Sequence, residues 1–177
     1  MLIRSASGLR GIAENHFTPE LIDQYISAFI TTQNIKTCVI GRDGRPSGKQ
    51  IAQWVIDSLH KKGINADNCG LATTPTMQIM TEKEHYDGGI VITASHNPSE
   101  YNGLKFLQTD GTFLNPDQCE ELFKAVDQNV ALANSSEVTG KTGTEGPTRV
   151  YLETSGNSEA KVCKSQPAYI AAMMLVG

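Results

Sequence analysis

Gly88-Gly89-Ile90-Val91-Ile92-Thr93-Ala94-Ser95-His96-Asn97-Pro98 constrains the fold more than any other stretch, because a β-branched apolar run ends abruptly at small and polar residues before a proline. Ile90, Val91 and Ile92 suit a buried central strand. Pro98 cannot donate to a ladder and biases Asn97 away from helix, so the chain turns there and delivers Ser95 to a loop. In an α/β sheet, ligands bind beyond the carboxyl ends of the strands. Ser99 to Gly103 then leads into Leu104-Lys105-Phe106-Leu107, a second apolar run carrying one lysine. Ser95, His96 and Lys105 are therefore expected around one crevice.

Upstream, the pattern alternates between helical and extended periods. Ser5 to Gly11 has glycines on both sides of Leu9-Arg10 and reads as a loop holding Arg10. Thr18 is placed as an N-cap with Pro19 at the first helical position, and Leu21, Ile22, Tyr25, Ile26, Phe29 and Ile30 recur at helical spacing to about Gln33. Thr37 to Ile40 is a short strand ending in the charged turn Gly41 to Gly48. Ser47 with Gln50 predicts a capping box for a helix that carries Ile51, Val55 and Leu59 on one stripe and stops near Lys62 before Gly63. A strand over Ile64 to Cys69, a loop over Leu71 to Thr76 and a short helix around Met77 and Met80 complete a β-α-β-α-β order. That order predicts an α/β fold with a mainly parallel mixed sheet flanked by helices. Beyond Leu107, Thr109-Asp110-Gly111 is a turn, and Asn115-Pro116-Asp117-Gln118 opens a capped helix with Leu122, Phe123 and Val126 inside.

At 177 residues the chain holds one domain with a core of its own, placed at 1–135. Organisation weakens from Ala131 to Glu159, so 136–165 reads as a connection. Residues 166–177 read as the start of a second domain, because the chain becomes apolar from Tyr169 onward; a truncated larger protein is expected. The net charge of -4 supplies no field for a polyanion, which argues against nucleic acid. Cys38, Cys69, Cys119 and Cys163 are widely separated, as in a reduced, cytoplasmic protein. No apolar run approaches membrane-spanning length, and no secretory leader is recognisable.

Ser95 and His96 are adjacent, and neighbouring side chains on extended backbone point apart, so a serine–histidine nucleophile pair is disfavoured. A serine that itself carries charge fits better. A phosphoserine brings about -1.5 to -2 charges and needs cations or donors around it, which Arg10, His96 and Lys105 can supply. An ordinary turn serine remains the alternative at this point. Arg42, Asp43 and Arg45 read first as a salt-bridge cluster that fixes a loop. His16, His60 and His85 lack metal-ligand spacing and read as surface or packing residues, and Met77 and Met80 as core.

Thr93-Ala94-Ser95-His96-Asn97-Pro98 with Tyr101-Asn102-Gly103-Leu104-Lys105 resembles the phosphoserine loop of the α-D-phosphohexomutase family, which includes phosphoglucomutase, phosphomannomutase and phosphoglucosamine mutase. Ser7-Gly8-Leu9-Arg10-Gly11, Gly41-Arg42-Asp43-Gly44-Arg45-Pro46-Ser47-Gly48 and the Gly70 to Pro75 turn are similar to three further family elements, in the same order. The resemblance implies that Ser95 carries a phosphoryl group between the 1- and 6-positions of a hexose phosphate through a bisphosphate intermediate. It also implies one Mg²⁺ on the seryl phosphate and a hexose 1,6-bisphosphate activator. His96 and Lys105 match residues beside the reacting oxygens, Arg10 the arginine facing the phosphoserine, and Asn97 a loop-shaping position, with Arg42, Asp43 and Arg45 in a supporting loop. The family's Asp-Gly-Asp-x-Asp-Arg metal element and Gly-Glu-x-Ser-Gly-His sugar loop do not occur here. Lys141 to Arg149 is faintly similar to the distal phosphate loop but is out of place in the order and reads as linker. The resemblance therefore covers the first of four domains. The chain by itself is expected to be inert, its partners being a hexose phosphate and the missing C-terminal domains. A non-catalytic module that binds a sugar phosphate or a partner is the alternative.

Overall fold

A computed structural model describes residues 1–139 and places eleven elements along them in the order strand hairpin, two helices, then alternating strands and helices. The strands are β1 (Ile3–Ser5), β2 (Gly8–Ile12), β3 (Thr37–Arg42), β4 (Asn65–Leu71), β5 (Gly88–Ile92) and β6 (Tyr101–Leu107). The helices are α1 (Ala13–His16), α2 (Pro19–Gln33), α3 (Gly48–Lys61), α4 (Thr74–Lys83) and α5 (Pro116–Thr139). They form one mixed sheet in the order β1-β2-β6-β5-β3-β4, covered by helices. The parallel part expected from the β-α-β-α-β pattern is β4-β3-β5; β6 and the N-terminal hairpin join it antiparallel.

Alternation along the strands sorts the core into two layers. On one face Cys38, Ile40, Ile90, Ile92, Leu104 and Phe106 pack against Ile22, Phe29, Ile51, Leu59 and Leu122 of α2, α3 and α5. On the other, Val39, Val91 and Leu107 pack against Met77 and Met80 of α4. The two methionines are core, as expected. Cys38, Cys69 and Cys119 are buried, and burial raises the Cys38 thiol above its ordinary range. Among the described residues no helix is long and apolar enough to cross a membrane.

Local chemistry explains most element ends. Thr18 Oγ1 accepts from the Leu21 amide with Pro19 at N1, and Thr73 Oγ1 accepts from the Thr76 amide at the start of α4. Asn115 and Gln118 exchange side-chain-to-amide hydrogen bonds of 2.9 Å each, a reciprocal box opening α5. Three expectations need correction. Ser5 to Gly11 is a hairpin rather than a loop, because β2 finds its partner far away in β6, with Leu9 opposite Leu104. Gly8 permits that approach: its φ is +102°, and a Cβ there would lie 2.0 Å from the Leu104 carbonyl oxygen. Ser47 makes no capping bond to its own helix; its Oγ instead accepts from buried Asn102 Nδ2 at 2.9 Å. Finally, α5 runs through 131–139, past the boundary at 135, since neither Pro nor Gly interrupts Asp117 to Thr139. The rest of the 136–165 connection, Lys141 to Arg149, Cys163 and the segment from 166 lie outside the described residues.

Asp87 ties the sheet together at the amino ends of β3 and β5. Its Oδ2 accepts from the amides of Lys36 and Thr37 and from Thr37 Oγ1 at 2.8–3.1 Å. Burial opposes its charge, yet those donors hold the carboxyl below the usual carboxylate range. The folded value lies below the unfolded one, so this stabilisation is present above the unfolded value and is lost as pH falls through the folded value. Asp87→Ala is expected to lower stability by about 1–3 kcal/mol at neutral pH. The deficit should shrink as pH is taken below about 4. Urea unfolding of both proteins from neutral to acid pH checks this; a gap that does not narrow contradicts it.

Candidate active site

Two neighbours of β6 bring the expected residues together. On one side β5 ends at Ile92 and its continuation carries Thr93, Ser95, His96 and Asn97; on the other, β2 sets Arg10 opposite Gly103. Arg10 reaches across and donates to Asn97 Oδ1 at 2.8 Å. A cleft of about 140 Å³ is lined by Arg10, Thr93, Ser95, His96 and Lys105, and also by Ser5 and Ser7 of the β1–β2 turn. The shared crevice expected for Ser95, His96 and Lys105 is therefore present, and its lining residues include no Asp or Glu. A wider groove of about 610 Å³ lies on other surfaces, among Ile12, Phe17, Ile51 and Trp54, and contains none of the expected site residues.

Ser95 is exposed and has φ +56°, the left-handed region that non-glycine residues enter at a cost of about 1–3 kcal/mol. Its neighbours hold it there. The Ser95 amide donates to Thr93 Oγ1 at 3.0 Å, and Thr93 Oγ1 donates to Asp43 Oδ2 at 2.7 Å. Asp43 also accepts from Arg45 Nε at 3.0 Å and from the Arg45 amide at 3.1 Å. The same guanidinium donates to the carbonyls of Ser95 (2.8 Å), Asn97 (2.7 Å) and Tyr101 (3.1 Å), and to that of Pro98. Only 11% of the Arg45 side chain is exposed, so these charge-assisted bonds act with limited screening. Arg42 stays outside the cleft and donates to the Asp43 carbonyl at 3.2 Å. Asp43 and Arg45 form the expected ion pair on the loop, while Arg42 contributes only its bond to the Asp43 carbonyl.

No hydrogen bond among the described residues joins the Ser95 hydroxyl to His96 or to another base. The Lys105 ammonium lies 5.1 Å from the centroid of the Phe113 ring. Neither Ser5 and Ser7 nor Phe113 was singled out by the sequence pattern. The serines reach the cleft only through the hairpin, and Phe113 reaches Lys105 through a turn after β6.

Residues 1–132 match the family model described as phosphoglucomutase/phosphomannomutase, alpha/beta/alpha domain I. The chain belongs to this family. A Methanosarcina acetivorans protein named "Probable phosphoglucosamine mutase" is 35% identical over 146 residues, covering 82% of this chain and 33% of that protein. A Thermococcus kodakarensis "Phosphoglucomutase/phosphomannomutase" is 37% identical over 154 residues, again covering 82% of this chain and 33% of its own length. The crystal structure of a phosphoglucomutase/phosphomannomutase family protein from Burkholderia thailandensis superposes with a TM-score of 0.61 at 25% identity, over 72% of this chain and 31% of that one. The chain spans about a third of the length of the curated relatives it matches.

For this family member the expected Mg²⁺ can be tested against the side chains at hand. Among the described residues no group of three or more His, Cys, Asp or Glu could hold a metal ion. The Asp43 carboxylate, which supports the serine loop, is already bonded to Arg45 and Thr93. Mg²⁺ prefers six oxygen ligands, so the donor set of residues 1–139 does not fit a complete site.

Arg45→Lys retains the charge but not the planar fork that serves four carbonyls. Hydrogen exchange of the Asn97 and Tyr101 amides, which close turns onto Ala94 and Pro98, should accelerate by about tenfold or more, while β3 and β5 amides keep their protection. Unchanged exchange at Asn97 and Tyr101 would remove Arg45 from this role.

Proposed function

We propose that Ser95 is the phosphoryl carrier of a hexose-phosphate mutase and that this chain supplies its first domain. The observation that carries the reading is the geometry at Ser95: an exposed hydroxyl fixed in a left-handed conformation, without a bonded base, in a cleft lined by Arg10, His96 and Lys105 and by no carboxylate. A serine that holds a phosphoryl group needs cations beside it and an unobstructed approach. The relatives' names fit the same chemistry.

In the forward half-reaction a hexose-phosphate hydroxyl attacks the phosphorus. The bond to Ser95 Oγ breaks and a new P–O bond forms on the sugar, while the hydroxyl proton passes through His96 to the departing Ser95 Oγ. Arg10 and Lys105 balance the charge on the transferring group. In the second half the Ser95 hydroxyl attacks the sugar's other phosphate: a new P–Oγ bond forms, the P–O bond to the sugar breaks, and the serine proton passes through His96 to the sugar oxygen that leaves. The net result is phosphate moved between the 1- and 6-positions. Hexose 1,6-bisphosphate, as both intermediate and activator, would keep Ser95 loaded. Mg²⁺ belongs to this reading only with carboxylates from beyond residues 1–139, and so do the groups that select the sugar.

Intact-mass measurement and peptide mapping, before and after incubation with glucose 1,6-bisphosphate, test the proposal. One phosphoryl group is expected on Ser95, and none on Ser95→Ala. Phosphate on another residue, or on none under either condition, counts against it, as does labelling of Ser95 by a fluorophosphonate. The 177-residue chain is expected to convert no glucose 1-phosphate, mannose 1-phosphate or glucosamine 6-phosphate with Mg²⁺ and bisphosphate present. Robust turnover would show that this chain alone suffices.

A further inference from the structure

Lys105 is a buried-strand lysine whose charge has an unusual partner. It sits on β6 opposite Val91, on the sheet face shared with Leu107 and α4, and its side chain forms part of the Ser95 cleft. Among the described residues its ammonium makes no ion pair, and what lies beside it is the face of Phe113 at 5.1 Å. Phe113 is not itself part of the cleft wall.

The ring is held by a tightly specified turn. Leu107 bridges Phe113, the Gln108 amide donates to the Thr112 carbonyl at 2.8 Å, and Gln108 Nε2 donates to the Phe113 carbonyl at 3.0 Å. Asp110 Oδ1 accepts from both the Thr112 amide and its hydroxyl. The turn is pressed against α4 at Gly111, where φ is +76° and a Cβ would come within 2.2 Å of the Gln78 carbonyl oxygen. The ring also packs against the Val39, Val91 and Leu107 cluster. Phe113 is thus a fixed platform, not a surface side chain that happens to lie near a lysine.

A second cation beside Arg10 is unfavourable until an anion arrives, and a flexible lysine would spend that interval dispersed in solvent. A carboxylate partner would order the lysine but compete with phosphate for it. An aromatic face attracts an ammonium through its quadrupole and leaves the positive charge uncompensated for an anion. We infer that Phe113 is a positioning residue for Lys105, holding its ammonium ordered at the edge of the cleft where a phosphoryl anion meets it. The inference rests on the proposed reading of the cleft as a phosphoryl site.

The test uses the full chain with ¹³C-labelled lysine and glucose 1,6-bisphosphate as the probe, followed by NMR, with Lys105→Arg assigning the resonance. In the free protein the Lys105 ε-methylene signals are expected upfield of the other lysines because of the ring, and to stay upfield as bisphosphate binds. Phe113→Leu should abolish the upfield shift and weaken bisphosphate binding about two- to fivefold. Phe113→Tyr should restore both, which a purely structural role of the ring in the turn would not require. Lys105→Gln separates the two claims. If it weakens binding while Phe113→Leu does not, the role of Phe113 is overturned and the cleft reading stands. If neither changes binding, or if the unaltered chain binds no bisphosphate, both fall. An ordinary Lys105 shift in the free protein overturns the Phe113 contact directly.

Discussion

The guanidinium of Arg45 touches more of the site than any side chain that would do chemistry there. Through Asp43 and Thr93 it supports the Ser95 amide, and through its remaining donors it gathers the carbonyls of Ser95, Asn97, Pro98 and Tyr101. The carbonyls of Ser95, Asn97 and Pro98 belong to the segment between β5 and β6, where the Pro98 carbonyl also accepts from the Tyr101 amide. A single planar cation satisfies them together and so fixes the segment's shape. The left-handed Ser95 persists because the surrounding bonds over-determine it.

The sheet extends this local device to the rest of the cleft. With β6 between β5 and β2, the serine loop and Arg10 emerge on either side of one strand, and Lys105 comes from that strand itself. Asn97 links the two flanks by accepting from Arg10. A chain of net charge -4 can thereby present a cleft whose ionisable lining residues are all basic. Charge in this domain is arranged by topology and not by composition.

What could be read in the sequence was what depends on near neighbours along the chain. The caps at Thr18 and Asn115, the apolar stripe of α3 and the buried run of β5 each follow from residues within a few positions of one another. The serine loop and its flanking basic residues were legible because the motif is contiguous. The hairpin was not, because β2 is specified by a partner about ninety residues away and its glycines look locally like loop. Ser47 offered a plausible capping pattern, but buried Asn102 took its hydroxyl instead. The carbonyls that Arg45 collects have no side-chain signature at all, so the cluster was recognisable as a loop support while the loop it supports was not.

The pairing of Leu9 with Leu104 also bears on how the domain is made. Contacts of such long sequence separation form late, because the intervening chain must first be ordered. During synthesis the second edge of β2 has no partner until β6 has emerged, while the β3–β4–β5 unit can already assemble. Ser95 therefore meets Arg10 only at the closing step of folding. Incompletely folded chains would display the serine without its cationic surroundings, and the charged cleft is a property of the finished domain alone.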